Sequence, residues 1–116
     1  MYTDGYCYDP ASASWTRLDN SFPVMAGTTI TRNGDILFLG GVEELLPTSP
    51  EHPGFSNLVR RYNIASNKID TVSISPYPLA VTTTTVFTGD TLYITSGEER
   101  PGIRTPHILR GLINDR

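Results

Sequence analysis

The residues best suited to chemistry lie close together near the end of the chain, in a short loop from Ser96 to Thr105. The charged side chains of this loop are Glu98, Glu99, Arg100 and Arg104. A glutamate beside its substrate can take up and return a proton, and a planar guanidinium can bind a carboxylate through two parallel hydrogen bonds. Because charged groups in surface loops are usually only solvated, residue types alone leave the loop a candidate site for proton transfer.

The composition narrows the choice of ligand. The chain has 116 residues, 38% of them hydrophobic, with 9 basic and 12 acidic residues and a formal net charge of -3. This is enough for one ordinary domain with a core, and the scattered charges favour neither nucleic acid nor an anionic membrane as a partner. A small neutral or acidic ligand is compatible with this mild charge.

Metal and redox chemistry are not indicated. Cys7 is the single cysteine, so the chain has neither an intrachain disulfide nor a thiolate zinc cluster. His52 and His107 lack the spacing of metal ligands. No apolar run reaches membrane-spanning length, and Met1–Tyr8 lacks the basic and apolar regions of a signal peptide. We therefore expect no metal and no cofactor.

The elements that must position the loop are predicted to be strands. Short runs rich in Thr, Val, Ile, Tyr and Phe alternate with turn residues, and no long segment has helical spacing. Val24–Thr31 and Ile36–Leu39 flank Asn33-Gly34, a pair that favours a tight hairpin. Leu58–Ile64 and Lys68–Ile74 flank a three-residue polar link. These runs predict an all-β fold with four consecutive antiparallel strands.

Two stretches of sequence repeat. Tyr8–Trp15 is echoed by Tyr62–Ile69, and Gly34–Leu39 is echoed by Gly89–Ile94. Both echoes have nearly the same spacing, which is close to the period of roughly 50 residues typical of Kelch propeller blades. In such a propeller each repeat is one four-stranded sheet. The repeat therefore predicts a propeller.

Particular residues carry the resemblance to Kelch repeats. Leu39-Gly40-Gly41 resembles the double glycine that ends a Kelch strand, and Tyr8 with Trp15 resembles the tyrosine-tryptophan pair. In the second unit Thr95-Ser96-Gly97 stands where the glycine pair belongs, and Ile69 replaces the tryptophan. The resemblance implies a Kelch-type β-propeller with one degenerate repeat.

The repeat also predicts how the chain divides into blades. Residues 1–22 would end one blade, 23–77 would form a complete blade, and 78–116 would begin the next and contain the charged loop. About two blades are then present, whereas the complete propeller of the resembled family is six-bladed. An open arc exposes blade faces and strand edges, which favours self-association of the fragment.

The charged loop itself resembles the catalytic loop of the Kelch-type N-acetylneuraminate mutarotases, or epimerases. In those enzymes Gly-Glu, two variable residues, Pro-Gly, an aliphatic residue and Arg-Thr recur, and this chain has Gly97-Glu98-Glu99-Arg100-Pro101-Gly102-Ile103-Arg104-Thr105. The resemblance implies that Glu98 is catalytic, that Arg104 binds the sugar acid, and that Tyr77 occupies a substrate-facing aromatic position. It also implies an isomerase of bacterial sialic acid metabolism, periplasmic or secreted, whose partner is N-acetylneuraminate.

Other functions stay open. A Kelch propeller can instead bind proteins or carbohydrates without catalysis, since one fold hosts both functions. A copper-radical oxidase is disfavoured by the single cysteine. Val42-Glu43-Glu44-Leu45 follows the glycine pair where the resembled enzymes have an Asn-containing stretch. The link from Val42 to Asn57 is predicted to wall the pocket. Because this link differs from that of the resembled enzymes, another sugar acid remains an alternative substrate.

Overall fold

The computed structural model describes residues 2–22, 26–42, 55–100 and 102–113. Within these ranges the regular structure consists of eleven β-strands, and no helix is present. Consequently no described segment is a helix capable of crossing a membrane. The prediction of an all-β fold is confirmed.

The main sheets are numbered in chain order. The second sheet lies between the other two and has four antiparallel strands, which pair in sequential order. Its strands are β3 (Thr28–Arg32), β4 (Asp35–Leu39), β5 (Leu58–Asn63) and β6 (Lys68–Ile74). Both predicted hairpins are present, and Asn33 and Gly34 adopt the positive φ angles of 50° and 81° that the first turn requires.

The first sheet is a hairpin of β1 (Tyr6–Asp9) and β2 (Ser14–Arg17). The segment that follows it packs on one face of the second sheet. The ring of Phe22 lies 5.9 Å from that of Phe38 and 5.3 Å from that of Tyr62. Asn20 Nδ2 donates a hydrogen bond of 2.6 Å to the carbonyl of Asn67.

The third sheet packs on the opposite face. It contains β7 (Thr85–Thr88), β8 (Thr91–Thr95) and β11 (Ile108–Leu112), in the order β11-β8-β7. The buried hydrophobic cluster between the two sheets comprises Ile30, Leu37, Leu39, Leu79, Ala80 and Ile94. Since each layer is covered by its neighbour, β4 is apolar at four consecutive positions from Ile36 to Leu39.

The two inner strands β3 and β7 run side by side in the same direction. Thr28 and Thr85, which begin the two strands, join through their hydroxyl groups. Arg32 at the end of β3 forms an ion pair of 2.5 Å with Asp90 in the β7–β8 turn. The hairpin turns of both sheets therefore lie at one end, and the longer links, including the charged loop, lie at the other.

The predicted repeat frame, in which Gly34 matches Gly89, is wrong for the β7–β8 hairpin. Arg32 pairs with Asp35 across the first turn, and Thr88 pairs with Thr91 across the second. The turn Asn33-Gly34 therefore corresponds to Gly89-Asp90, so that Gly34 matches Asp90. Matching the two Gly-Asp dipeptides misplaces the frame, because glycine is the second turn residue in one hairpin and the first in the other.

Because successive side chains of a strand point to opposite faces of the sheet, a shift of one residue reverses which side chains of β8 correspond to those on each face of β4. Leu37 corresponds to Tyr93 rather than to Leu92. Ile36 and Phe38, which face the first sheet, correspond to Leu92 and Ile94, which face the second sheet. The sheets thus repeat as stacked layers.

The two outer layers expose apolar side chains. Tyr8 and Trp15 pair across the first hairpin with ring centroids 4.9 Å apart, yet Trp15 is 68% exposed. On the third sheet, Ile108 and Leu112 are 65% and 72% exposed. The blade limits 1–22, 23–77 and 78–116, like self-association, stay predictions.

Candidate functional site

The charged loop folds as a short hairpin, here called the site hairpin, between β8 and β11. Its strands are β9 (Glu98–Arg100) and β10 (Ile103–Arg104). Glu98 and Arg104 are cross-strand partners in its register. Glu98 Oε1 lies 4.0 Å from Arg104 Nη1, and the two side chains are 29% and 61% exposed. The structure therefore brings the two principal predicted site residues together.

Both groups remain accessible to a ligand. A separation of 4.0 Å is an ion pair without a hydrogen bond. Such a partly exposed pair contributes about 1 kcal/mol or less to stability. The carboxylate of a ligand can therefore displace the Glu98 carboxylate from the Arg104 guanidinium at small cost. Glu98 is the less exposed partner, which suits a group that exchanges a proton with a bound molecule.

The base of the site hairpin is held by backbone hydrogen bonds. Val81 and Glu98 exchange two of them, each of 2.9 Å. The amide of Thr105 donates to the carbonyl of Gly97, also at 2.9 Å. Gly97 has φ +90°, and a Cβ atom there would lie 2.5 Å from the Val81 carbonyl oxygen. Only glycine permits this close approach, so Gly97 fixes how Glu98 leaves the sheet.

The second sheet has the same backbone arrangement where β4 ends as the third sheet has at the base of the site hairpin. Ser96 and Gly97 have φ angles of 58° and 90°, close to 65° and 97° at Gly40 and Gly41. The amide of Gly40 donates to the carbonyl of Leu58, as the amide of Ser96 donates to the carbonyl of His107. The site hairpin therefore takes the place that the longer link after Gly41 takes in the second sheet.

That longer link is predicted to wall the pocket. Its residues Glu43, Glu44 and His52 lie outside the described residues, as does Pro101 in the turn of the site hairpin. Gly102 has φ +75°, and no atom of the described residues lies within 4 Å of a built Cβ there.

Tyr77 is not brought to the charged pair. Its ring is 61% exposed, and its amide donates to Ser75 Oγ at 3.1 Å. It lines a groove between the second and third sheets together with Leu79 and Leu109. Among the described residues the structure records no contact of Tyr77 with Glu98 or Arg104, so its predicted substrate contact stays a prediction.

Sequence reasoning missed Val81, which anchors Glu98 from a separate link. No motif signals this contact, because it depends on how one sheet follows the next. Within the described ranges there is also no group of three or more His, Cys, Asp or Glu residues arranged to hold a metal ion.

Comparison with known proteins bears on the fold. No family model and no curated protein matches the chain. The solved structure of YjhT is similar over 97% of this chain, with a TM-score of 0.83 and 19% identity. This chain is part of a Kelch-type β-propeller. It spans 41% of the length of the YjhT chain.

Proposed function

We propose that this chain carries the catalytic loop of a sialic acid mutarotase, which interconverts the α and β anomers of N-acetylneuraminate. The observation that carries the proposal is the cross-strand pair of Glu98 and Arg104, 4.0 Å apart on a hairpin clamped at its base. The loop motif supports the same reaction by resemblance, and the propeller fold is compatible with it.

In the proposed mechanism Glu98 acts as the proton-transfer group. Its carboxylate takes the proton of the anomeric hydroxyl as the bond from the anomeric carbon to the ring oxygen breaks. The ring oxygen gains a proton from the protonated Glu98 or from water, and the anomeric carbon becomes a ketone carbonyl. Closure onto the other face of this carbonyl gives the opposite anomer. No electrons are transferred, and the step requires neither metal nor cofactor.

Arg104 is proposed to bind the substrate. N-acetylneuraminate bears a carboxylate on the anomeric carbon, and a guanidinium can hold it through two parallel hydrogen bonds. Because Arg104 lies opposite Glu98 in the hairpin register, a carboxylate held there places the anomeric hydroxyl next to Glu98. We propose that the activity needs the blades that complete the propeller, since Glu98 and Arg104 both stay partly exposed in the described segment.

The test follows the approach of freshly dissolved β-N-acetylneuraminate to anomeric equilibrium by proton NMR. It compares this chain with a longer protein in which further blades complete the propeller. We expect acceleration that Glu98→Gln and Arg104→Ala abolish. Glu99→Gln and Arg100→Ala are matched controls, because they alter the same residue types on the same hairpin and should leave the rate nearly unchanged.

Two results contradict the proposal. If the completed, folded propeller gives no acceleration, the mutarotase assignment fails. If it binds the sugar acid by saturation-transfer NMR without acceleration, a carbohydrate-binding Kelch propeller is the better account. Equal losses in the control variants would instead show that the rate does not depend specifically on the Glu98–Arg104 pair.

By the same resemblance we propose that the protein acts in the periplasm or is secreted. Fractionation of cells that express the complete gene tests this. Recovery with cytoplasmic marker proteins would contradict it, independently of the activity measurement.

A further inference from the structure

The backbone arrangement at the base of the site hairpin repeats the one at Gly40 and Gly41, but one of its residues is not glycine and is strained there. At the position of Gly40 in the second sheet, the third sheet has Ser96 with φ 58°. Side chains with a Cβ atom are strained in this left-handed region, whereas glycine is not. A serine here therefore calls for a compensating interaction.

The hydroxyl group of Ser96 makes such an interaction. Ser96 Oγ donates a hydrogen bond of 2.9 Å to the carbonyl of Thr105. This bond joins the residue after β8 to the residue after β10, across the base of the site hairpin. Glu98 lies two residues beyond Ser96, and Arg104 immediately precedes Thr105.

Other hydrogen bonds of the base are the same in both sheets. Thr105 Oγ1 accepts a hydrogen bond of 3.1 Å from the amide of His107, just as Ser56 Oγ accepts one of 3.1 Å from the amide of Leu58. The amides of Thr105 and Ser56 donate to the two equivalent glycine carbonyls at 2.9 and 2.8 Å. Gly40 has no side chain to supply the bond that Ser96 makes. The hydroxyl of Ser96 is thus an addition that accompanies the charged pair.

We propose that Ser96 is a positioning residue, whose hydroxyl fixes the base of the site hairpin and thereby the placement of Glu98 relative to Arg104. This inference rests on the proposed function. The hairpin is short, and among the described residues its turn at Gly102 has no neighbour within 4 Å of a built Cβ, so the described contacts that orient it are those of its base. A displacement of about 1 Å in a catalytic group can lower a rate by up to about 100-fold.

Ser96→Gly isolates this role. Glycine adopts φ 58° without strain and keeps the amide that donates to the His107 carbonyl, so the variant loses the CH₂OH group with its hydrogen bond and also relieves the backbone strain. In the completed propeller we expect kcat for mutarotation to fall about 10-fold with KM changed less than about twofold, while thermal stability is kept. A purely structural role predicts unchanged kcat.

Ala13→Gly is the matched control. Ala13 has φ 53° in the turn of the first sheet, remote from the site hairpin, so this variant relieves the same backbone strain alone. We expect it to leave kcat unchanged. An equal fall in kcat in both variants would overturn the proposal.

A second measurement does not depend on activity. In Ser96→Gly, amide hydrogen exchange at Thr105 and Glu98 should become at least about 10-fold faster, with no change in Ala13→Gly. If the unsubstituted propeller does not accelerate mutarotation, the proposed function fails and hydrogen exchange alone decides whether Ser96 holds the hairpin. Unchanged exchange at both amides overturns the inference.

Discussion

Replacing Gly97 with alanine should destabilise the fold far more than the same change at Gly89, another glycine with positive φ. The new methyl carbon would lie 2.5 Å from the Val81 carbonyl oxygen and 2.9 Å from Thr83 Cβ. Relief of this overlap must separate the link carrying Val81 from Glu98, whose two mutual hydrogen bonds are 2.9 Å long.

The magnitude follows from three effects. A left-handed alanine costs about 1 kcal/mol, overpacking about 1–3 kcal/mol, and each weakened hydrogen bond about 1 kcal/mol. We therefore expect Gly97→Ala to lower the free energy of unfolding by about 3 kcal/mol or more. This is a large part of the roughly 5–15 kcal/mol typical of a folded domain.

Gly89→Ala is the control. Gly89 has φ +59° with nothing within 4 Å of a built Cβ, so that variant bears the backbone cost alone, about 1 kcal/mol. Urea unfolding followed by far-ultraviolet circular dichroism measures both variants. If the two differ by less than about 0.5 kcal/mol, which is the range of ordinary surface substitutions, the close approach of Gly97 to Val81 is refuted.

Four further outcomes are expected. Leu39→Ala, at a side chain only 3% exposed in the inter-sheet core, should cost about 2–5 kcal/mol in urea unfolding, whereas Leu112→Ala, 72% exposed, should cost under about 1 kcal/mol. Thr105→Val, which removes the acceptor for the His107 amide, should cost about 1–2 kcal/mol, and Thr105→Ser should restore most of it; equal losses would contradict that bond. Asp70→Asn, which removes an exposed ion pair of 3.1 Å, should change stability by less than about 1 kcal/mol. Trp15, 68% exposed, should be quenched efficiently by acrylamide in the monomer, and protection that grows with protein concentration would show that the first sheet is covered by self-association.

Local features of the chain are predictable from residue types. Asn33-Gly34 favours a two-residue turn by its backbone preferences, and β6 spans the predicted Lys68–Ile74. β3 begins at Thr28, whereas the predicted strand begins at Val24, which lies outside the described residues. The pairing of Glu98 with Arg104 is not set by the turn alone, because the pairing of Arg100 with Ile103 would continue to Glu99 opposite Arg104. A register shift between Ile103 and Arg104 brings Glu98 there instead.

Contacts between sheets are not predictable in this way. The sequence does not reveal which turn residue of Gly89-Asp90 corresponds to Gly34, and a single residue of frame exchanges the faces of β8. The resemblance predicts that Tyr77 faces the substrate, which stays a prediction, and in the structure Tyr77 lines the groove between the second and third sheets.

Backbone preferences and neighbours within a few residues are sufficient to specify most of the strands, the presence of a repeat and a turn in the charged loop, so these features can be read from the chain alone. The anchoring of Glu98 by Val81, the close approach at Gly97 and the hydroxyl bond of Ser96 required the folded structure. These contacts arise where successive sheets stack, and their geometry depends on how far each sheet is rotated from the last. Spacing along the chain does not encode that rotation, so the placement of the candidate site became visible only in the folded arrangement.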